Sequence, residues 1–341
     1  MLSRTARTWT LLALLVGLAA LTAVIAWLGA GQIAAAFRRA GLWVLLLPLW
    51  ALLPLLLAAE SWRLLFPPRH RPTHRLAYHG NWISLAINWL LPVAQVGGEL
   101  AKAHLAIQRG RPPRDSFASV VVDKTLQMGT QVLYALAGML MLAALFTGGR
   151  AGVLTGALTG TAVLAVLGVL FYRLQRRGLF ALVGRVVDRF SRSSDAGGFP
   201  RGEEFDLAVR GCYQRQRALW AATAWRLAFR VAMAGEVYLA AWMLGYELTL
   251  AEAVVLESLA QTARAGAFLV PGGLGVQEGA LAGVAVALGL PPEAGVAISL
   301  CKRVRELGLG LPGLLAWQIE QGRGLLRRQS GGGGESQSAR Q

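Results

Sequence analysis

Residues 91–99 read Leu-Pro-Val-Ala-Gln-Val-Gly-Gly-Glu, and residues 270–278 read Val-Pro-Gly-Gly-Leu-Gly-Val-Gln-Glu. In both stretches seven residues lead from the proline to the glutamate. Both are apolar but interrupted by Pro and Gly, which break helices and mark turns. Such backbone survives at membrane depth only where it is buried in protein or lines a wet cavity. The two stretches therefore point to a site.

Further landmarks follow each glutamate at equal distances. A glycine stands eleven residues on (Gly110 and Gly289), a Pro-Pro pair begins thirteen residues on, and a base follows at twenty-five (Lys124 and Arg303). Landmarks that recur in one order without a gap indicate an internal repeat, with units at about 81–146 and 251–318. The competing interpretation is that Pro and Gly, which are common in membrane chains, align by chance.

The composition places these motifs in a membrane protein. Of the 341 residues 55% are hydrophobic and only 15% are charged, with a mean hydropathy of +0.48. Nearly uncharged runs such as Trp9–Gly29, Leu42–Ala59 and Gly152–Tyr172 are about 18 residues or more, enough to cross roughly 30 Å of hydrocarbon. We predict an all-α polytopic membrane protein with about six full spans and two broken or re-entrant segments in an inverted repeat.

The predicted elements fill most of the chain. We expect an integral membrane domain at 1–329, a basic amphipathic connection at 173–217 and a disordered polar tail at 330–341. We predict a re-entrant hairpin at 81–98, while 251–290 is either re-entrant or two short spans. The predicted full spans are 9–29, 42–61, 117–146, 152–172, 218–244 and 294–318.

The formal charge of +16 would suggest nucleic acid in a soluble chain, but here the bases lie in the connections. We count 24 Lys and Arg in the N-terminus, 62–80, 99–116, 173–217 and the C-terminus, and 3 on the other side. By the positive-inside rule, both termini are expected in the cytoplasm of a bacterial inner membrane, with no nucleic acid partner. The helices 117–146 and 294–318 then run in opposite directions, which is typical of the inverted halves of transporters.

Ionisable residues inside apolar segments are costly and mark partners or function by default. One interpretation is that they form internal ion pairs; the other is that bases bind an anionic headgroup and acids a cation or a proton. Backbone N–H groups freed at the two Gly-Gly pairs would favour a phosphate. The candidate substrate-binding residues are Pro92, Gly97, Gly98, Glu99, Lys102, Asp123, Lys124, Pro271, Gly272, Gly273, Glu278, Arg303 and Arg305.

Other sequence features argue against a metal site and against an enzyme. The histidines His70, His74 and His79 lack accompanying carboxylates or thiols, so we expect no metal, and we expect no cofactor. No P-loop, His-Glu-x-x-His or Gly-x-Ser-x-Gly motif occurs, which argues against an enzyme. Aromatic residues near segment ends, Trp62 among them, are predicted to be interfacial anchors.

The motifs together resemble a known family. Ser61-Trp62-Arg63, the 91–99 motif and Val270–Glu278 are similar to the flippase-like transmembrane domain of lysylphosphatidylglycerol synthases. The resemblance covers about 10–320 and implies movement of a lipid between leaflets. The form of the first motif looks like the branch associated with hopanoid biosynthesis. That branch implies a polycyclic lipid without phosphate, so it competes with the phosphate interpretation.

We therefore predict a transporter that moves a lipid of the aminoacyl-phospholipid, isoprenoid or hopanoid type between leaflets. Glu99 and Glu278 would be its central polar groups, with Lys124 and Arg303 as counter-charges or headgroup ligands. One alternative is a membrane scaffold that recruits lipid-biosynthesis enzymes through 173–217. The other is a lipid-modifying membrane enzyme. Membrane lipids are the expected partners in every case, and the oligomeric state stays open.

Overall fold

The computed structural model describes residues 38, 40–91, 97–145, 202–266 and 275–338, with the backbone alone at 202–203 and 321–338. Every regular element in these ranges is helical. Short 3₁₀ turns lie at Gly41–Leu45 and Pro68–His70. The α-helices are α1 (Leu46–Trp50), α2 (Leu52–Leu64), α3 (His74–Leu90), α4 (Gly97–Gln108), α5 (Pro113–Leu145), α6 (Gly202–Gln214), α7 (Gln216–Met243), α8 (Leu250–Gly266), α9 (Val276–Ala287) and α10 (Pro292–Ser338).

Two stretches of the described chain are long and apolar enough to cross a membrane, Gly41–Leu64 and Pro113–Leu145. They match the predicted spans 42–61 and 117–146. The predicted span 218–244 coincides with α7, and 294–318 lies inside α10, but both helices carry several ionisable residues. The predicted spans 9–29 and 152–172 lie outside the described residues.

The two motif stretches form the same succession of helices. In the described residues α3 and α8 each cover 17 residues, α4 and α9 each cover 12, and a long helix follows in both cases. Gly110 and Gly289, which precede the long helices, have φ of +80° and +82°, a conformation that favours glycine. α9, whose two ends both lie inside the described residues, is only about 18 Å long, too short to cross a bilayer. The described part of α4 starts directly after 92–96 and that of α8 stops directly before 267–274, so the re-entrant hairpin at 81–98 and the two alternatives for 251–290 stay predictions.

The helical hairpin begins earlier than the sequence predicts. α3 starts at His74, not near residue 81, because the Thr73 side chain caps it by accepting a hydrogen bond from the Leu76 N–H at 3.3 Å. Residues 92–96, between α3 and α4, lie outside the described residues. α4 returns along α3, where the Gly98 N–H donates to Asn88 Oδ1 at 3.0 Å.

In contrast to a soluble protein, the bundle has charged side chains in its interior and leucines on its surface. Lys102 and Lys302 are fully buried, while Leu133, Leu140 and Leu311 are each more than half exposed. An apolar exterior around buried charges is what a lipid environment selects, since lipid does not penalise exposed leucine.

The described part of the basic 173–217 connection is 202–217, and most of it forms α6. This helix packs Phe205, Val209 and Cys212 against Leu65 at the end of α2 and against Ala118 and Val122 in α5. The Cys212 thiol donates to the Leu65 carbonyl at 3.3 Å, and burial raises the pKa of this thiol. This part of the connection is therefore packed on the bundle. The rest of the connection, 173–201, lies outside the described residues.

The last helix, α10, extends in its backbone through Ser338, where the composition predicts a disordered tail from residue 330. Side chains beyond Glu320 are not described. The disorder of 330–341 stays a prediction.

The close approach of α3 and α4 generates a test of the fold. A Cβ atom on Gly98 would lie 2.1 Å from the Ser84 carbonyl oxygen, whereas one on Gly129 in α5 would meet no atom within 4 Å. We predict that Gly98→Ala lowers the free energy of unfolding in detergent by about 1–3 kcal/mol through overpacking. Gly129→Ala should leave it unchanged or raise it by up to about 1 kcal/mol. Equal stability of the two variants would contradict the described packing.

Candidate functional site

The first of two buried charge networks centres on Lys102 in α4. Its ammonium group lies 2.8 Å from Glu99 and 2.8 Å from Asp123, and its side chain has no solvent exposure. The ring of Trp62 lies beneath it, with its centroid 4.8 Å from the Lys102 Nζ. Trp62 in turn donates to Ser119 Oγ at 3.0 Å. Full burial makes Trp62 a core residue of the network, so its predicted role as an interfacial anchor is wrong.

Asp123 in α5 joins this network to α7. Its second oxygen accepts from Arg226 Nη2 at 2.5 Å and from Arg226 Nε at 3.1 Å. Gln127, one turn along α5, donates to both Glu99 and Asp123 at 3.3 Å. Arg230, one turn along α7, donates to the Gln127 carbonyl at 2.9 Å. Three helices are thus held at one depth by charged hydrogen bonds, which are stronger than neutral ones.

The second network begins at Glu278 in α9. One carboxylate oxygen accepts from the Gly275 N–H at 2.7 Å and so caps the helix. The other accepts from Ser299 Oγ at 3.1 Å and from Arg303 Nη2 at 3.1 Å. Glu278 is fully buried, and Gln277 beside it donates to the same Ser299 hydroxyl at 3.1 Å. The sequence-predicted pair Glu278 and Arg303 is therefore in direct contact.

Glu306 in α10 lies close to three arginines of this network. It accepts from Arg303 at 2.7 Å and from Arg264 of α8 at 2.7 Å, and it lies 3.6 Å from Arg305. Arg305 also lies 3.0 Å from Glu236 of α7. Its guanidinium stands 4.6 Å from the centroid of the Trp89 ring. The network therefore joins α7, α8, α9 and α10 and reaches α3.

One further pair completes the second network, Lys302 with Glu257 of α8. Both side chains are buried, and Gln261 donates to the other Glu257 oxygen at 2.9 Å. Gln131 of α5 donates to Thr262 of α8 at 3.2 Å, so polar contacts also link the helices of the two networks.

The two networks differ in formal charge. The first holds two acids, Glu99 and Asp123, against the four bases Lys102, Lys124, Arg226 and Arg230. The second holds four acids (Glu236, Glu257, Glu278, Glu306) and four bases (Arg264, Lys302, Arg303, Arg305). Among the described residues, the first network thus carries an excess of two positive charges and the second is balanced. A buried positive excess attracts anions.

The repeat is also chemically asymmetric at single positions. Counting from the glutamates, Lys102 corresponds to Leu281 and Asp123 corresponds to Lys302. Glu99 contacts Lys102 directly, while Lys124 attracts it as a nearby charge. Lys124 and Arg303 are therefore equivalent in spacing, and the glutamate of the first copy also has a direct partner, Lys102, on its own helix.

The structure brings together most of the predicted residues. Glu99, Lys102 and Asp123 meet in the first network, while Glu278, Arg303 and Arg305 meet in the second. Gly97 begins α4, and Gly98 packs on α3. Lys124 follows Asp123 in α5, next to the first network. The predicted Pro92, Pro271, Gly272 and Gly273 lie outside the described residues.

The sequence motifs missed the polar residues that tie the charges together, namely Gln127, Gln277 and Ser299. Gln277 stands in the 270–278 motif beside Glu278, whereas nothing in the local pattern of Gln127 or Ser299 distinguishes them from other polar residues on a helix. Gln127 lies one turn after Asp123, a spacing that puts both on one helix face. This spacing could have identified Gln127 as a member of the network.

The predicted absence of a metal stays a prediction. In the described ranges no group of three or more His, Cys, Asp or Glu side chains is placed to hold an ion. His70 hydrogen-bonds Asp115, and His74 lies 3.0 Å from Glu60. These histidines thus take part in separate pairs.

Comparison with known proteins adds one match. The family described as the lysylphosphatidylglycerol synthase TM region matches residues 11–313. This range contains both networks and both motif stretches, so the suspected family resemblance is confirmed. No curated protein and no solved structure matches the chain. The hopanoid branch stays a prediction.

The first network generates a stability prediction. Asp123→Asn removes the carboxylate between two fully desolvated bases, Lys102 and Arg226, and breaking a buried pair costs about 3–5 kcal/mol. We expect that loss in the free energy of unfolding in detergent, measured by chemical denaturation. The matched control is Asp206→Asn on the exposed face of α6, where the change should stay within about 0.5 kcal/mol. Equal losses would show that the network does not hold α4, α5 and α7.

Proposed function

The chain belongs to the family of the lysylphosphatidylglycerol synthase TM region, and we propose that it moves a lipid between the leaflets of the bacterial inner membrane. The family and the helical fold make it a membrane protein related to lipids. Transport, the inner membrane and cytoplasmic termini are parts of the proposal. The ratio of 24 to 3 bases in the predicted connections supports that orientation.

The observation that carries the proposal is the pair of buried charge networks at the two helical hairpins. Each ionisable group inside a membrane segment costs roughly 3 kcal/mol on insertion scales. A bundle that needed only cohesion could be held in lipid by close packing of small residues and by neutral polar hydrogen bonds, without charged groups. Concentrating the charges at two interrupted hairpins supports a polar path for a headgroup, while the lipid tails stay in the bilayer.

The mechanism we propose uses the two units as inverted halves. The hairpins α3–α4 and α8–α9 show the same order of helices in their described residues, and each is followed by a long helix. If one unit is inverted relative to the other, rocking of the halves exposes the networks to each leaflet in turn. Glu99 and Glu278 stand at the starts of the second helices of the hairpins. They are placed to contact a headgroup when the halves separate.

The charge count bears on the class of lipid. An excess of two bases in the first network favours an anionic headgroup, such as a phosphodiester or diphosphate, with Lys124 and Arg230 as ligands. Aminoacyl-phospholipids and isoprenoid phosphates fit this requirement. A hopanoid without phosphate has no anionic group to pair with the two surplus bases. It is therefore the least supported of the three substrate types.

The test is transport by purified protein in liposomes that contain a fluorescent phosphatidylglycerol. A membrane-impermeant reductant measures how much of the lipid crosses to the other leaflet. We predict that Glu278→Gln slows the movement by about tenfold or more, because one lost charge-assisted interaction is worth about 1.5–3 kcal/mol. Glu247→Gln, at an exposed position between α7 and α8, is the matched control and should transport like wild type.

Equal transport by wild type, Glu278→Gln and empty liposomes would contradict the proposal. The thermal stability of Glu278→Gln should be measured in parallel. Glutamine keeps the oxygen that accepts from Gly275 or Ser299, so the fold of α9 is expected to persist.

The alternative is a scaffold without transport, in which the networks only hold the bundle together. One observation favours it: all four acids of the second network already lie next to a base. A scaffold would dock lipid-biosynthesis enzymes through the basic 173–217 connection. We propose further that the chain is not itself an enzyme, since its sequence contains no recognised catalytic motif.

The scaffold and the transporter predict opposite mutant behaviour. Replacing the exposed bases Arg210 and Arg217 by glutamine should leave lipid movement within about twofold of wild type, because surface charges contribute little. A scaffold would lose capture of its enzymes in a pull-down with these variants, while Glu278→Gln would retain it. Loss of function in cells with the surface variant, but not with Glu278→Gln, would support the scaffold.

A further inference from the structure

A groove of about 750 Å³ lies apart from both charge networks, between α2, α3 and α10. Its walls include Leu56 of α2, the first turns of α3 and Glu320 of α10, with Arg109 just after α4. None of the residues of the two networks lines it. Its volume falls in the range of about 300–1,000 Å³ that is typical of small-molecule sites.

Part of the groove lining is polar and basic. Arg109 Nη2 lies 2.7 Å from Glu320 Oε1, and His79 Nε2 lies 3.5 Å from the same oxygen. Arg75 also lines the groove and is exposed, and within the described ranges it has no hydrogen-bond or ion-pair partner. Two guanidinium groups and one carboxylate therefore line the groove, which keeps a positive formal charge even with neutral histidines. The charge complements an anion.

The rest of the lining is largely apolar. Leu56 is 53% exposed, and the aromatic side chains of Tyr78 and Trp82 also line the groove, with the Trp82 ring centroid 6.0 Å from that of His79. Trp82 is held by a hydrogen bond from its Nε1 to the Leu309 carbonyl at 2.9 Å. Leu56 belongs to the apolar stretch Gly41–Leu64, so this wall continues the lipid-facing surface of that helix. Aromatic side chains at such a boundary are typical of the membrane interface.

We propose that this groove binds a phospholipid with an anionic headgroup, as a site separate from the transport path. The basic part of the lining would hold the phosphodiester, and the apolar part would hold the first part of an acyl chain. A free phosphate would have no use for the apolar wall, and a zwitterionic headgroup would gain less from the positive charge. The site does not rest on the transport proposal, since a scaffold in an anionic leaflet would use it equally.

The test uses the full chain in phosphatidylcholine vesicles that contain a small fraction of phosphatidylglycerol with a photoactivatable acyl chain. After irradiation, mass spectrometry maps the labelled peptides. We expect labelling in 52–64 and 74–90, and an approximately tenfold decrease in the double variant Arg75→Gln/Arg109→Gln, as two bases near an anionic surface lose their attraction. Arg75→Gln alone, which removes no described contact, should decrease it several-fold.

The matched control is Arg210→Gln/Arg217→Gln, which removes the same charge from an exposed surface away from the groove. It should be labelled like wild type. A probe with a phosphatidylcholine headgroup should label the groove weakly, and added inorganic phosphate should not compete. The proposal is wrong if Arg75→Gln/Arg109→Gln is labelled like wild type, if the control loses as much, if both probes label equally, or if inorganic phosphate displaces the lipid. Transport in the same vesicles is scored separately with Glu278→Gln, so either proposal can fail alone.

Discussion

Lys102 is held without solvent exposure between the carboxylates of Glu99 and Asp123, and the rest of the bundle is arranged around this contact. A lysine in an apolar interior is tolerated only when it is paired and hydrogen-bonded. Asp123 provides one such partner and also binds Arg226, so α4, α5 and α7 must meet at one depth. The close approach of α4 to α3 at Gly98 serves the same contact, because it holds α4 where Lys102 reaches Asp123 of α5.

The second hairpin also pairs its buried glutamate with a base, but the base comes from another helix. Its glutamate caps α9 by accepting from the Gly275 N–H and binds Arg303 of α10, where the first hairpin uses Lys102 of its own helix. The second network ends with equal numbers of acids and bases, whereas the first keeps two surplus bases. In the proposed transporter, this difference in charge would make the path receive an anionic group mainly at the first network. The proposed phospholipid groove at Arg75 and Arg109 would be a basic site outside that path.

Much of this architecture could be predicted from the sequence, for physical reasons that differ between elements. Apolar runs identified the helices Gly41–Leu64 and Pro113–Leu145, since length and hydropathy are local properties. The paired spacings from Glu99 and Glu278 identified the two hairpins and several network members. Trp62 shows where this fails: a tryptophan near a helix end is an anchor or a core residue depending on its neighbours. The start of α3 was missed because the cap at Thr73 lies in a polar stretch.

The central claim is that the charge networks become accessible from both sides of the membrane. It is tested most directly by Gln127→Cys, between Glu99 and Asp123, in a chain whose Cys212 and Cys301 are replaced by serine and alanine. Its reaction with a membrane-impermeant maleimide is measured from each face of sealed vesicles. The account predicts reaction from both faces, with the balance changed by anionic lipid. Protection from both faces, with or without lipid, would contradict it.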